Sequence, residues 1–144
     1  MEVSVTAQER RLELTQVLNQ LLVDGDAKSE RLRLLREYLA RVRSARTIAD
    51  SPELRTEEQR LELEETEQRT RLQLNFEDCW FLMSLLSDET MDYDAARERQ
   101  RQSVAELAEQ RGELDRRQAE LDLLGRYFTR IDRRLARLRE PPGQ

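Results

Sequence analysis

Between Pro52 and Pro141 the chain contains no proline, so residues 53–140, 88 consecutive positions, carry nothing that must break a helix. Four glycines in 144 residues add few further interruptions, and only 5% of the residues are aromatic while 38% are charged. A chain rich in Arg, Glu, Gln and Leu with so few breakers has the composition of long helices rather than of sheets. The expected fold is all-α: an antiparallel helical hairpin or coiled-coil bundle of about four helices with a long C-terminal helix, forming one domain over residues 1–140 and ending in a disordered tail at 141–144.

Local signals divide the chain. Thr6 can cap a first helix, with Glu9 three residues on in capping-box spacing. Leu14, Val17, Leu18, Leu21 and Leu22 recur at helical intervals up to Asp24-Gly25-Asp26, where Gly25 predicts a stop. Leu32, Leu35, Leu39 and Val42 mark a second helix running toward Ala49. Ser51-Pro52-Glu53 supplies a capping hydroxyl, a proline at the first helical position and an acid against the positive helix end, so a third helix starts at 52. Cap-capable residues at 87–90 predict a reversal, with Thr90 or Asp92 capping the fourth helix. That helix is expected to run from about 92 to 139. Leu107, Leu114, Leu121, Phe128 and Leu135 fall every seventh residue along it, with Leu124, Ile131 and Leu138 three further on, which is a heptad seam. Gly112 and Gly125 lie within it as flexible points or close helix contacts.

Charge is segregated. Residues 28–49 carry seven basic and two acidic side chains, residues 50–94 four basic and fourteen acidic, and residues 126–144 six basic and two acidic. The blocks predict that the acidic third helix lies beside the basic second helix and near the basic end of the fourth, selecting register more than adding stability.

One segment departs from this dilute pattern. Residues 76–86 hold the only Cys (Cys79), the only Trp (Trp80), two of the three Phe (Phe76, Phe81), Met83 and several Leu. A hairpin about residue 90 would set this cluster against residues 94–104, which offer only Ala95, Ala96 and Val104. Something else must cover it: the first helix, a second copy, or a different protein. Phe76, Trp80, Phe81, Met83 and Leu86 are therefore the candidate contact surface, and Leu14, Val17, Leu18, Leu21 and Leu22 its intramolecular cover or a second contact strip. As part of a packing nucleus, Trp80 is expected to cost several kcal/mol of fold or assembly stability when replaced by Ala.

Several function classes are disfavoured. The chain has no histidine, which removes the commonest general base and zinc ligand. Glu77 and Asp78 would raise the Cys79 thiol pKa, leaving a structural cysteine rather than a nucleophile. No glycine-rich phosphate loop and no Glu-x-x-His pattern is present, so no catalytic, cofactor-binding or metal-ligating residue is assigned. Arg31, Arg33, Arg36, Arg41, Arg43 and Arg46, with the C-terminal arginines, raise nucleic acid as a partner of another class. A pI near 5.0 and the lack of interleaved aromatics argue against it. No 18-residue uncharged stretch could span a bilayer, no N-terminal apolar run resembles a signal peptide, and a lone cysteine needs no oxidising compartment. A cytoplasmic location is expected.

What remains is a non-enzymatic protein acting by protein–protein contact, as an adaptor, assembly factor or structural component, with another protein or with itself as a homodimer. In length, long helical hairpin and scarcity of aromatics, most of the chain resembles in outline the small coiled-coil stalk and chaperone proteins of bacterial type III export systems. That likeness implies a chaperone or stalk role in a secretion or export apparatus.

Overall fold

The computed structural model describes residues 5–109 and 115–140. They form four helices, α1 (Ala7–Ile48), α2 (Pro52–Leu86), α3 (Tyr93–Glu109) and α4 (Asp115–Leu138), with no strand among the described residues. Met1–Ser4, Gln110–Leu114 and the 141–144 tail, with Val3, Gly112 and Leu114, lie outside them.

Three helix starts follow the local chemistry read from the sequence. The Glu9 amide donates to Thr6 Oγ1 at 3.1 Å, the Leu54 amide to Ser51 Oγ at 3.2 Å and the Ala95 amide to Asp92 Oδ1 at 3.3 Å. Each cap satisfies one of the amides that a helix leaves without a partner at its start.

The expected stop at Gly25 does not occur. α1 passes through it unbroken, so the first two predicted helices are one helix of 42 residues. The reason is close approach rather than termination. A Cβ on Gly25 would stand 2.7 Å from Asn75 Oδ1 on α2, and only glycine leaves room for the side chain opposite.

The long C-terminal helix is corrected as well. α3 ends at Glu109, and α4, of 24 residues, is shorter than α1 or α2. α4 runs antiparallel to α3: Arg97 reaches Asp132 at 3.0 Å, while Gln100 Nε2 donates to the Leu121 carbonyl at 3.0 Å. Gly125 is again a close contact, since a Cβ there would meet Gln100 Nε2 at 2.9 Å. The seam is real on α4, where Phe128, Ile131 and Leu135 are buried and Leu121, Leu124 and Leu138 half-buried, but Leu107 belongs to α3.

Contacts gather in two compact units. In the middle unit, Leu21–Glu77, α1 and α2 form an antiparallel hairpin around Leu39, Val42 and Leu61, flanked by Leu35 and Leu54. Opposite charge blocks meet along it: Arg36 with Glu65 at 3.2 Å, Arg43 with Glu58 at 3.2 Å and Glu62 at 3.0 Å, and Arg46 with Glu58. These pairs lie at the surface, where water screens them, so they select register more than they add stability.

The terminal unit joins the chain up to Gln20 with the chain from Asp78 onward. Leu14, Val17, Leu82, Tyr93, Phe128, Ile131 and Leu135 are buried in it. The basic end of α4 finds its acids here, Arg130 pairing with Asp78 at 2.8 Å and Arg139 with Glu13 at 3.4 Å. The Tyr93 hydroxyl donates to Asp132 Oδ1 at 2.9 Å, and Arg10 and Arg97 share Asp94.

Candidate protein-interaction surface

The 76–86 segment forms the last turns of α2, and helical geometry sorts its residues by face. Cys79 and Leu82 point inward and are buried. Burial raises the Cys79 thiol pKa, with Asp78 adding to the effect and Arg134 opposing it, so the thiol stays protonated at neutral pH. Desolvation is the larger cause, which the acidic neighbours alone did not reveal.

Phe81 is covered by a partner that the sequence reading did not consider. Its ring stacks on Tyr127 with centroids 4.8 Å apart and meets Phe128 edge-on at 5.4 Å. Tyr93 in turn meets Phe128 at 5.4 Å. These offset and edge-to-face arrangements suit the ring quadrupoles and add about 0.5–1.5 kcal/mol per pair beyond area burial. The expectation that residues 94–104 would lie opposite the cluster fails because α4 folds back along α3 and delivers its own rings. Tyr127 and Phe128 sit 46 and 47 residues after Phe81 in the chain, so no local spacing announces the contact.

The outward face is different. Phe76, Trp80 and Met83 stand at i, i+4 and i+7 on α2, within 60° of one another around the helix axis at 100° per residue. They are 60%, 73% and 50% exposed. The neighbours on that face are the uncharged Gln73, Ser84 and Ser87, with Glu77 three residues before Trp80 at its edge and Arg69 two turns before Phe76. Ser84 Oγ donates to the Trp80 carbonyl and Ser87 Oγ to the Ser84 carbonyl, so both hydroxyls are turned to the backbone. The result is an apolar strip edged by the single acid Glu77. Trp80 therefore lies outside the core of its own chain, and the fold-stability half of its expected cost is corrected to a small value, which leaves the assembly half to a partner surface.

The remaining predicted residues divide in the same way. Leu14, Val17 and Leu21 are fully buried, Leu18 and Leu86 are half-buried, and Leu22 is 49% exposed. Leu14 and Val17 are thus core residues of the terminal unit and Leu21 of the middle unit, not a second contact strip. Where the chain reverses after α2, the Arg11 guanidinium donates to the Leu86 carbonyl at 2.5 Å and the Asp88 carbonyl at 2.8 Å. This tethers the end of α2 to the start of α1 and keeps the strip on a fixed helix.

Among the described residues no group of three or more His, Cys, Asp or Glu side chains could hold a metal ion, and no helix is long and apolar enough to cross a membrane. No protein-family model, curated protein or solved structure matches the chain.

Proposed function

We propose that this chain is a non-enzymatic, cytoplasmic coiled-coil protein, an antiparallel helical bundle that works as an adaptor or assembly factor by offering the outward face of α2 to another protein surface. The observation that carries this reading is the exposure of Phe76, Trp80 and Met83 along one face of α2. Two aromatic rings and a thioether left in water amount to roughly 300–400 Å² of apolar surface, the size at which a patch on a monomer is often functional. At about 25 cal/mol per Å², covering it contributes on the order of 8–10 kcal/mol before the cost of association. That cost is about 4–15 kcal/mol, so the strip supports a specific contact only together with further polar or apolar area from the partner. A single helix docking anchors at i, i+3 or i+4, and i+7 fits its shape. A chaperone or stalk role in an export apparatus is the narrower version of the same proposal.

The test is Trp80 fluorescence read beside light-scattering mass over a concentration series. A dimer with blue-shifted emission, returned to a monomer by Phe76→Ser/Met83→Ser, identifies a second copy as the cover. A monomer with water-exposed emission at every concentration supports an open face that serves a different protein. Blue-shifted emission from a strict monomer would overturn the reading, because the face would then be covered within its own chain. Trp80→Ala is expected to change folding stability by less than about 1 kcal/mol, as an exposed substitution does, and thermal melting checks this.

A further inference from the structure

A second surface, independent of the α2 strip, lies between α3 and α4. The two helices enclose an open groove of about 470 Å³ lined by Arg97, Arg101, Arg126, Asp122 and Asp132, with Gly125 opposite Gln100 at its floor. The register that sets Arg97 against Asp132 and Gln100 beside Gly125 brings Arg101 level with Arg126 across the groove. Elsewhere, arginines reaching from one helix to another meet oxygen acceptors: Arg10 meets Asp94, Arg130 meets Asp78, Arg36 meets Glu65 and Arg43 meets Glu58. Here two exposed arginines, Arg101 and Arg126, line the same groove, and no ion pair of either occurs among the described residues. Asp122 at the same lip accepts from Gln118 at 3.0 Å. Deeper in, Arg97 Nε is buried with no hydrogen-bond partner, although its other nitrogens bond Asp132 and Asp94. Two like charges lining one groove with a buried donor that lacks an acceptor are an arrangement that an anion would relieve.

We propose that this groove binds an acidic protein segment, with one of its Asp or Glu carboxylates bridging Arg101 and Arg126. Guanidinium groups bind carboxylates through paired, charge-assisted hydrogen bonds, and two of them flank a single carboxylate without strain. A carboxylate on an apolar stem suits the site better than a phosphodiester chain. Val104 and Phe128 contribute to the lining, Asp122 and Asp132 repel a dense run of negative charge, and the protein as a whole carries a net charge of −5. No exposed ring stands in the groove for a base to stack on, since Phe128 is buried.

The test is titration of the full chain at low salt with a short peptide bearing a single glutamate among valine and alanine residues, followed by backbone amide shifts. Saturable shifts confined to residues along α3 and α4 at the groove are expected. Arg101→Gln/Arg126→Gln should weaken binding by about tenfold or more, as the loss of charge-assisted hydrogen bonds implies. The same variant should melt no lower than the parent without peptide, because it removes a repulsion, and this separates lost recognition from lost folding. Arg133→Gln/Arg137→Gln, exposed arginines of α4 outside the groove, should bind as the parent does. Equal weakening by the two double variants would overturn the proposal in favour of diffuse charge attraction, as would an absence of saturable shifts. Tighter binding of a thymidine oligonucleotide than of the peptide would overturn it in favour of phosphate recognition.

Discussion

The middle and terminal units hold their helices together by different means. The middle unit is a two-helix hairpin with a narrow core of Leu39, Val42 and Leu61, flanked by exposed Arg–Glu rungs. The terminal unit gathers four helical segments and five of the seven aromatic residues, with three ring contacts among Phe81, Tyr93, Tyr127 and Phe128 and an ion pair between Arg130 and a buried Asp78. Two helices can bury only the stripe each turns to the other, so charge along the flanks must choose the register. A cluster of four segments can enclose whole side chains, so volume and ring geometry choose it. The groove lies wholly in the terminal unit, which also supplies Trp80 and Met83 of the α2 strip, while Phe76 belongs to the middle unit.

The largest expected effect separates the cores. Phe128→Ala removes a buried ring touching both Phe81 and Tyr93 and should cost about 3–5 kcal/mol, whereas Leu61→Ala in the thinner core should fall toward the lower end of about 2–5 kcal/mol. Chemical denaturation measures both. Equal losses would mean that the narrow hairpin core is as tightly packed as the aromatic one.

A smaller effect tests how the hairpin is held in register. Replacing glycine by alanine inside a helix ordinarily stabilises by about 1 kcal/mol. Gly25→Ala should show no such gain, because the new methyl group must displace the buried Asn75 side chain, and Gly25→Ala/Asn75→Ala should recover it. A full gain in the single variant would show that Asn75 moves aside freely and that the close approach does not hold the register.

The smallest effect is acid sensitivity. Arg55 and Arg46 hold the Asp50 carboxyl down to about 2, and Glu30, Glu57 and Glu58 are also lowered, chiefly by hydrogen bonds from Arg33, Arg60 and Arg46 respectively. All four lie in the middle unit. A carboxyl lowered by folding contributes stability above its unfolded value and loses it as pH falls toward the folded one, so these pairs weaken between about pH 4.5 and pH 2. Amide signals of residues 21–77 should therefore soften slightly as pH falls through this range, and Asp50→Asn should remove part of that dependence. These pairs are solvent-exposed, so the shift should be modest and should shrink further in high salt.

What could be read from the sequence was what a single helical turn contains. Thr6, Ser51 and Asp92 begin helices because their oxygens reach an amide three residues on, and that distance is the same in any fold. The apolar stripe of Phe128, Ile131 and Leu135 identified the inner face of α4 for the same reason, and opposite charge blocks anticipated the rungs between α1 and α2. The unusual density of residues 76–86 was equally visible, though not its division into a covered and an open side. Arg101 and Arg126 were not legible as a pair, because they become neighbours only once α4 doubles back along α3. Which residue is covered depends on groups far along the chain. Phe81 is sheltered by rings that follow it by 46 and 47 positions, while Trp80, one residue earlier and just as apolar, faces outward. Gly25 read as a stop by local rules and became a contact because Asn75, 50 residues away, needed the space. Local chemistry thus determined the helices and their inner faces, and only the tertiary structure decided which apolar residues remained exposed, because covering them requires partners that no local pattern encodes.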